Sequence, residues 1–175
     1  SIVFASSAAI YSKENPYSLS KLFFEKTLKN SNINYITLRY YNVAGLIEPP
    51  SPSQTGNVFD ILRDCYNNKK PFTLNKGSLP RDYSHVLDVA QKTLMAASML
   101  AGGAVKQEFD VLSGNSVDLY TIISIYKKFG INFEIIEKEI YEEPPAAGTQ
   151  IFPGPLTLNL EDIIRSEIQY GLKIE

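Results

Sequence analysis

The feature that most constrains the fold of this chain is the alternation of strand and helix patterns at its start. Residues 1–6 form an apolar run typical of a buried strand, and residues 34–40 form a second run rich in β-branched and aromatic side chains. Between them, Asn15 followed by Pro16 is typical of a helix start, and the side chains over 16–29 have amphipathic spacing. A helix-length connection favours parallel strands with a right-handed crossover, so the predicted class is α/β.

The rest of the sequence continues this alternation less regularly. Residues 48–56 are rich in proline, and they predict a surface loop between a sheet-forming front and a more mixed rear part. Helices are predicted over 57–68, 86–100, 117–129 and 160–170, and strands over 72–74, 108–112 and 133–137.

Composition excludes several classes of protein. A formal net charge of -2 provides no basic field for a phosphate backbone, so no nucleic-acid partner is expected. No apolar run approaches the ~20 residues that span a bilayer, so no membrane association is expected. Cys65 is the single cysteine and has no disulfide partner within the chain. We therefore expect a cytoplasmic protein, and no metal site is predicted.

Two side chains on the first predicted helix indicate acid–base chemistry. Tyr17 and Lys21 are four residues apart, so a phenol and an ammonium share one helix face. A neighbouring cation favours the phenolate, which would make Tyr17 a usable general base. The spacing alone is also explained by a partly buried tyrosine beside a solvated lysine. However, polar residues follow both predicted strands, within 4–11 and 38–45, at the edge where open α/β sheets bind ligands.

Four motifs in order resemble those of the UDP-glucose 4-epimerase family and its nucleotide-sugar relatives, which are extended short-chain dehydrogenases/reductases. They are S-S-A-x-x-Y at 6–11, N-P-Y-x-x-S-K at 15–21, L-R-Y-x-N-x-x-G at 38–45 and R-D-Y-x-H-V-x-D-V-A at 81–90. The resemblance covers residues 1–130 and fades after Tyr141. It implies part of a Rossmann-like parallel sheet plus a smaller mixed α/β substrate-binding portion. Residues 1–48 would then end the NAD-binding domain, and residues 49–175 would mainly bind the nucleotide sugar, with some return to the sheet.

The same resemblance implies a reaction and roles for individual residues. Ser7 would hydrogen-bond the sugar 4-hydroxyl, Tyr17 would remove its proton, and Lys21 would hold the nicotinamide ribose and tune the tyrosine. Tyr41 would lie near the nicotinamide. The residues implied to contact the nucleotide diphosphate are Asn42, Asn57 and Arg81. The implied activity is 4-epimerisation of a nucleotide sugar, most naturally a UDP-sugar, with hydride passing from C4 to NAD and back. Relatives commonly dimerise, so a homodimer is an expected assembly.

Two residues of the last motif are expected to be structural instead of catalytic. His85 and Asp88 flank the start of the helix predicted over 86–100. An aspartate there can cap the helix, and a histidine can bond to the backbone.

The sequence also departs from the family pattern. None of its ten glycines forms the glycine-rich turn that cradles the NAD pyrophosphate, so we expect a chain that begins at Ser1 to be the back part of a longer protein. The family arginine that helps to clamp the diphosphate aligns with Ala146, which leaves Arg81 as the main cation there, or Lys76 as a substitute. The turn after the predicted strand at 108–112 is shortened.

Alternative functions remain open. A nucleotide-sugar 4,6-dehydratase or decarboxylase is the nearest enzymatic alternative, but such dehydratases place acidic residues just after the serine, where this chain has Ala8 and Ala9. A reductase or a 3,5-type epimerase relative is a further alternative. A catalytically silent binding module is another, because the cradle and the clamping arginine are both missing.

Overall fold

A computed structural model of the 175-residue chain describes residues 1–12, 15–48, 50, 57–139 and 150–174. Within these residues the strands are β1 (Ile2–Ser7), β2 (Tyr35–Tyr40), β3 (Asn42–Ala44), β4 (Phe72–Lys76), β5 (Arg81–His85), β6 (Gln107–Val111), β7 (Ser116–Val117) and β8 (Ile135–Glu139). The α-helices are α1 (Pro16–Lys29), α2 (Val58–Asn67), α3 (Val86–Ala101), α4 (Leu119–Lys128) and α5 (Leu160–Gly171), and a 3₁₀ turn covers Ala8–Tyr11. The predicted α/β class is confirmed.

Helix α1 begins and ends where the sequence predicts, and its start is determined by neighbouring residues. The side chain of Asn15 accepts a 2.9 Å hydrogen bond from the backbone N–H of Ser18, and the Ser18 hydroxyl lies 3.3 Å from the backbone nitrogen of Asn15. Pro16 occupies the first helical position, where its missing N–H costs nothing. This capping box positions the following turns, which carry Tyr17 and Lys21.

The main sheet is parallel and has the strand order β1-β2-β6. In its register, Ser7 of β1 pairs with Tyr40 of β2, and Tyr40 pairs with Val111 of β6. The carboxyl ends of all three strands therefore meet at one edge of the sheet. This is the edge at which the polar motif residues were predicted to gather.

Two smaller sheets complete the strand pairing. Strand β5 pairs in parallel with β3 and antiparallel with β7, and β4 pairs in parallel with β8. Strands β3, β5 and β7 were not predicted. The polar sequence of β5 has no strand-like alternation, and its partners are about thirty to forty residues away along the chain, so only the tertiary structure reveals it.

Two apolar clusters support these sheets. The first is made by α2, α4 and α5 packed on β4 and β5, and its fully buried side chains include Phe59, Leu62, Leu74, Ile122, Tyr126, Ile163 and Ile164. The second lies where α3 packs against β2 and β6, and its members are Ile36, Leu38, Val89, Ala96, Phe109, Val111 and Phe152. The second cluster supports the sheet edge on which the candidate site lies.

The segment before α5 returns to the main sheet. The backbone of Asp110 in β6 donates to Gln150 at 2.7 Å and accepts from Phe152 at 2.9 Å. The Phe152 ring lies 5.1 Å from that of Phe109, and the ammonium of Lys92 in α3 donates to the carbonyl of Gly154 at 2.7 Å. The domain division at residue 48 stays a prediction. Among the helices described, none has both the length and the apolar character to cross a bilayer.

Candidate active site

A cavity of about 350 Å³ opens where β1 and β2 end and β5 begins. Its wall includes Ser7, Tyr11, Tyr41, Asn42, Arg81 and Asp82. We call it the first cavity. It lies at the carboxyl edge of the parallel sheet, where open α/β folds bind ligands. Four of the predicted site residues therefore share one wall, although they are spread over more than seventy positions of sequence.

Ser7 links the end of β1 to the 3₁₀ turn. Its backbone is extended, and its hydroxyl oxygen accepts a 3.2 Å hydrogen bond from the backbone N–H of Ala9. Since a hydroxyl has one donor and two acceptor positions, this contact leaves the Ser7 hydrogen able to donate. A ligand oxygen in the first cavity is a suitable acceptor for it.

Tyr17 and Lys21 lie side by side on α1, as their spacing predicts. The Lys21 ammonium is 5.7 Å from the centroid of the Tyr17 ring, and it donates a 2.8 Å hydrogen bond to the carbonyl of Ala5 in β1. The side chain of Tyr17 is 55% exposed. An ammonium has three N–H groups, so two remain for a ligand and the phenol. Neither residue lines the first cavity.

A second cavity, of about 490 Å³, lies between the start of α2 and strands β4 and β5. Its wall includes Asn42, Asn57, Phe72, Tyr83, Arg81 and Leu119. Because Asn42 and Arg81 line both cavities, the two adjoin at these side chains. The three residues predicted to contact a diphosphate are thus brought together in the second cavity.

Asn57 caps the start of α2. Its side-chain oxygen accepts hydrogen bonds of 2.8 Å from the N–H of Phe59 and 3.1 Å from that of Asp60. The oxygen is therefore committed to the helix, while the amide NH₂ group can donate toward the cavity. The aligned dipoles of a helix start also favour an anion nearby.

Asp82 connects the residues of the first cavity to the turn after β6. Its carboxylate accepts from the backbone N–H of Ser113 at 2.7 Å and from the Ser113 hydroxyl at 2.9 Å, and its carbonyl accepts from the Asn42 amide at 2.8 Å. These contacts fix the residue that directly follows Arg81. Sequence reasoning gave Asp82 no role, although it follows the arginine in the last motif.

Tyr11 is a second residue of the first cavity to which the sequence analysis gave no role. Its hydroxyl donates to Asp110 Oδ1 at 2.7 Å and accepts from the Arg39 guanidinium at 3.2 Å. Burial, together with this bond to Asp110, raises the pKa of Tyr11 well above its ordinary value. Tyr11 therefore keeps its proton near neutral pH and is not a rival base. Its place at the end of the S-S-A-x-x-Y motif was the sequence signal that could have pointed to a role for Tyr11.

His85 and Asp88 have structural contacts. His85 Nδ1 accepts from the Leu87 N–H at 3.2 Å and caps α3, and burial lowers the pKa of His85, which favours this neutral acceptor. The prediction that Asp88 caps the helix is wrong. Its carboxylate instead accepts from the Thr157 hydroxyl at 2.6 Å and from the Leu158 N–H at 2.8 Å, which ties α3 to the segment before α5.

Lys76 and Ala146 are the two further positions that the sequence analysis considered for the diphosphate. Lys76 lies on β4, where its ammonium is 2.6 Å from the Glu137 carboxylate of β8, and it lines neither cavity. Ala146, the position aligned with the clamping arginine, lies outside the described residues, as does most of the predicted loop at 48–56.

Comparisons with known proteins show which proteins this chain is similar to. Residues 2–111 match the NAD dependent epimerase/dehydratase family. The chain is 30% identical over 207 residues to a UDP-glucose 4-epimerase of Mycoplasma genitalium, and the alignment covers 95% of this chain but 61% of that protein. The chain thus spans about three fifths of the length of this relative.

Two solved structures share the fold. One is a UDP-glucose 4-epimerase of Brucella ovis in complex with NAD, with a TM-score of 0.80 and 18% identity over 99% of this chain and 66% of that one. The other is the enzyme of Stenotrophomonas maltophila with bound NAD and formylated UDP-arabinopyranose, with a TM-score of 0.79 and 18% identity over 97% of this chain and 62% of that one.

Proposed function

The chain belongs to the NAD dependent epimerase/dehydratase family, and from this premise we propose that it provides the catalytic and sugar-binding residues of an NAD-dependent UDP-sugar 4-epimerase. The observation that carries the proposal is the first cavity. It gathers Ser7, Tyr41, Asn42 and Arg81 at the carboxyl edge of the sheet. A hydroxyl donor, an aromatic ring and a guanidinium around one space are suited to a sugar joined to a diphosphate.

Proton transfer at the sugar 4-hydroxyl is the step assigned to this chain. We propose that Tyr17 removes that proton as general base and that the Ser7 hydroxyl donates a hydrogen bond to the same oxygen. Lys21 assists this step, because its ammonium lies 5.7 Å from the centroid of the Tyr17 ring. The bond from Lys21 to Ala5 supports this role, because it holds the ammonium at the end of β1.

The residues present fit the nicotinamide end of NAD. Lys21 has two N–H groups left for a ribose hydroxyl, the Tyr17 phenol is exposed, and Tyr41 presents a ring at the first cavity. We therefore propose that Tyr17, Lys21 and Tyr41 bind this part of the cofactor. The chemistry that NAD supplies in such an enzyme is reversible acceptance of hydride from the sugar C4.

The nucleotide diphosphate is assigned to the second cavity. Arg81 can bind phosphate oxygens through two parallel N–H bonds, and Asn57 and Asn42 add amide groups to the wall of the same cavity. The start of α2 adds a favourable dipole. The Stenotrophomonas enzyme, whose structure contains formylated UDP-arabinopyranose, supports a UDP-sugar as the substrate class.

The small side chains after Ser7 favour epimerase over dehydratase chemistry. Ala8 and Ala9 both line the first cavity, so this part of its wall offers no acid for C5 or for a leaving hydroxyl. An epimerase needs no such acid, because C4 is oxidised and reduced within one turnover.

We also propose a homodimer. On α1, the apolar side chains of Leu19 and Phe23 are 51% and 72% exposed, and Phe24 is 40% exposed. An exposed apolar helix face supports an association surface. Light scattering that gives a monomer mass at micromolar concentration would contradict this part of the proposal.

Binding and turnover measured together test the proposed function. Calorimetry with UDP-glucose and with NAD measures binding, and conversion of UDP-glucose to UDP-galactose with added NAD measures the reaction. The proposal expects UDP-glucose to bind, and to bind roughly 30-fold more weakly in Arg81→Ala. UDP-glucose binding without turnover, in the full protein that contains this chain, would instead identify a catalytically silent binding module. A parent chain that binds neither UDP nor UDP-glucose would contradict the assignment.

A further inference from the structure

A row of polar residues crosses the main sheet just below the first cavity. Ser6 of β1, Arg39 of β2 and Asp110 of β6 are paired in register, one position before the carboxyl end of each strand. Ser6 and Asp110 are 3% and 1% exposed, so the two ends of the row are shielded from water. Buried polar groups need hydrogen-bond partners. The partners of this row lie on α1 and on the 3₁₀ turn, the two segments next to the candidate catalytic residues.

Arg39 connects the row to α1. Its guanidinium donates to Glu25 through Nε at 3.1 Å and through Nη2 at 2.7 Å, and Glu25 also accepts from the Ser6 hydroxyl at 2.5 Å. Glu25 follows Lys21 by four residues and Tyr17 by eight, so the three share one face of the helix. A two-point guanidinium–carboxylate contact therefore sets the position of the face that carries the base.

Tyr11 connects the same row to the 3₁₀ turn. Its hydroxyl accepts from Arg39 Nη1 at 3.2 Å and donates to Asp110 Oδ1 at 2.7 Å. Among the described residues, the other carboxylate oxygen of Asp110 has no hydrogen-bond partner. The hydroxyl of Tyr11 is thus the side-chain donor on which this buried carboxylate relies. Tyr11 ends the turn that Ser7 begins.

We propose that Tyr11 is a positioning residue for Ser7: anchored by Arg39 and Asp110, it holds the 3₁₀ turn so that the Ser7 hydroxyl is directed into the first cavity. Arg39 binds Tyr11 and Glu25 at once, so one side chain sets the turn with Ser7 against the helix with Tyr17. Tyr11 acts through Ser7 and not on the sugar itself, because its hydroxyl is occupied by Asp110. The inference rests on the proposed function for the identity of the ligand.

The two cavities allow positioning to be separated from a general structural effect. Ser7 lines the first cavity and not the second, whereas Asn57 lines the second and not the first. Loss of the Tyr11 anchor should therefore weaken the binding of the sugar part of the ligand and leave the binding of the nucleotide part unchanged. A general loss of structure would weaken both.

The experiment compares Tyr11→Phe with Tyr35→Phe. Both changes remove one hydroxyl from the same network, since Tyr35 donates to Glu108 at 3.4 Å and Arg39 binds that carboxylate at 2.6 Å, but Tyr35 lines neither cavity. Calorimetry measures the dissociation constants of UDP and of UDP-glucose. In Tyr11→Phe we expect the constant for UDP-glucose to rise about fivefold or more while that for UDP is unchanged. In Tyr35→Phe neither constant should change.

Variants of the acceptor provide a second test. Asp110→Asn keeps an oxygen that can accept from Tyr11 and should retain parental binding, whereas Asp110→Ala should reproduce Tyr11→Phe. Unchanged UDP-glucose binding in Tyr11→Phe, or an equal loss for UDP and UDP-glucose, would overturn the proposal.

Failure of the proposed function gives a different result. If the parent binds neither UDP nor UDP-glucose, that function fails, and amide hydrogen exchange over residues 8–12 decides the structural part. Faster exchange there in Tyr11→Phe than in Tyr35→Phe would support the anchor, and equal exchange would overturn it.

Discussion

The ammonium of Lys21 donates a 2.8 Å hydrogen bond to the main-chain carbonyl of Ala5, and this bond joins the first helix to the strand that ends at Ser7. It holds the lysine beside the Tyr17 ring without using all of its N–H groups. The helix with the proposed base and the strand with the proposed hydrogen-bond donor are therefore connected directly.

Replacing Tyr17 by phenylalanine tests the base. The hydroxyl acts on the proton in the transition state, so Tyr17→Phe should lower the rate of epimerisation by about 10²–10⁴-fold and leave UDP-glucose affinity almost unchanged. Rates come from the assay of UDP-galactose formation in the full protein. Turnover within tenfold of the parent would rule out Tyr17 as the base.

Lys21→Met should reduce NAD affinity as well as the rate, and a change in rate alone would contradict its contact with the ribose.

Replacing Arg81 by alanine tests the diphosphate site. A charge-assisted contact is worth roughly 2 kcal/mol, so Arg81→Ala should weaken UDP binding by roughly 30-fold. Lys76→Ala is the matched control, because Lys76 is paired with Glu137 and lines neither cavity. Calorimetry with UDP measures both variants. A larger loss in Lys76→Ala than in Arg81→Ala would place the diphosphate elsewhere.

Gly45 should be far less tolerant of a side chain than Gly103. Both have a positive φ, of +90° and +97°, so alanine is strained at either position, by about 1–2 kcal/mol. A Cβ on Gly45 would also lie 2.8 Å from the His85 ring, whereas a Cβ on Gly103 meets open space. Gly45→Ala should therefore lower the free energy of unfolding by about 1–3 kcal/mol more than Gly103→Ala does. Urea denaturation measures this difference, and equal losses would show that the ring moves aside freely.

Asp88 should make the free energy of unfolding depend on pH. Burial tends to raise the pKa of this carboxyl, but hydrogen bonds from Thr157 and Leu158 outweigh it and leave the pKa below the ordinary 3.8. The pKa of Asp88 is lower in the folded protein than in the unfolded protein. Its contribution to stability is therefore fully present at pH values above the pKa of the unfolded protein, and it is lost as the pH falls through the pKa of the folded protein.

The variant Asp88→Asn measures this contribution. At pH 6 we expect it to lower the free energy of unfolding by about 1.5–3 kcal/mol, since it replaces a charged acceptor of these hydrogen bonds. Denaturant titrations near pH 3 should show a smaller difference in the free energy of unfolding between the parent and the variant. A difference of the same size at both pH values would show that the loss comes from packing and not from the charge.

Local signals made much of the framework predictable. The start of α1 follows from Pro16 at the first helical position and from Asn15, whose capping contact with Ser18 spans three residues of the chain. The pairing of Tyr17 with Lys21 follows in the same way from one turn of helix. By contrast, β5 was missed because Arg81–His85 is polar and is held in place by strands far away along the sequence.

The sequence by itself determined the α/β class, the order of the helices and the set of residues on which a nucleotide-sugar site would depend, because capping, periodicity and motif spacing are contained in short stretches of chain. Only the tertiary structure decided which of these side chains share a wall, with Ser7 and Tyr41 in the first cavity, Asn57 in the second, and Asn42 and Arg81 in both. It also decided that Tyr11 is anchored by Asp110, ninety-nine positions away, since strand register and the buried polar row arise from long-range pairing that no local pattern specifies.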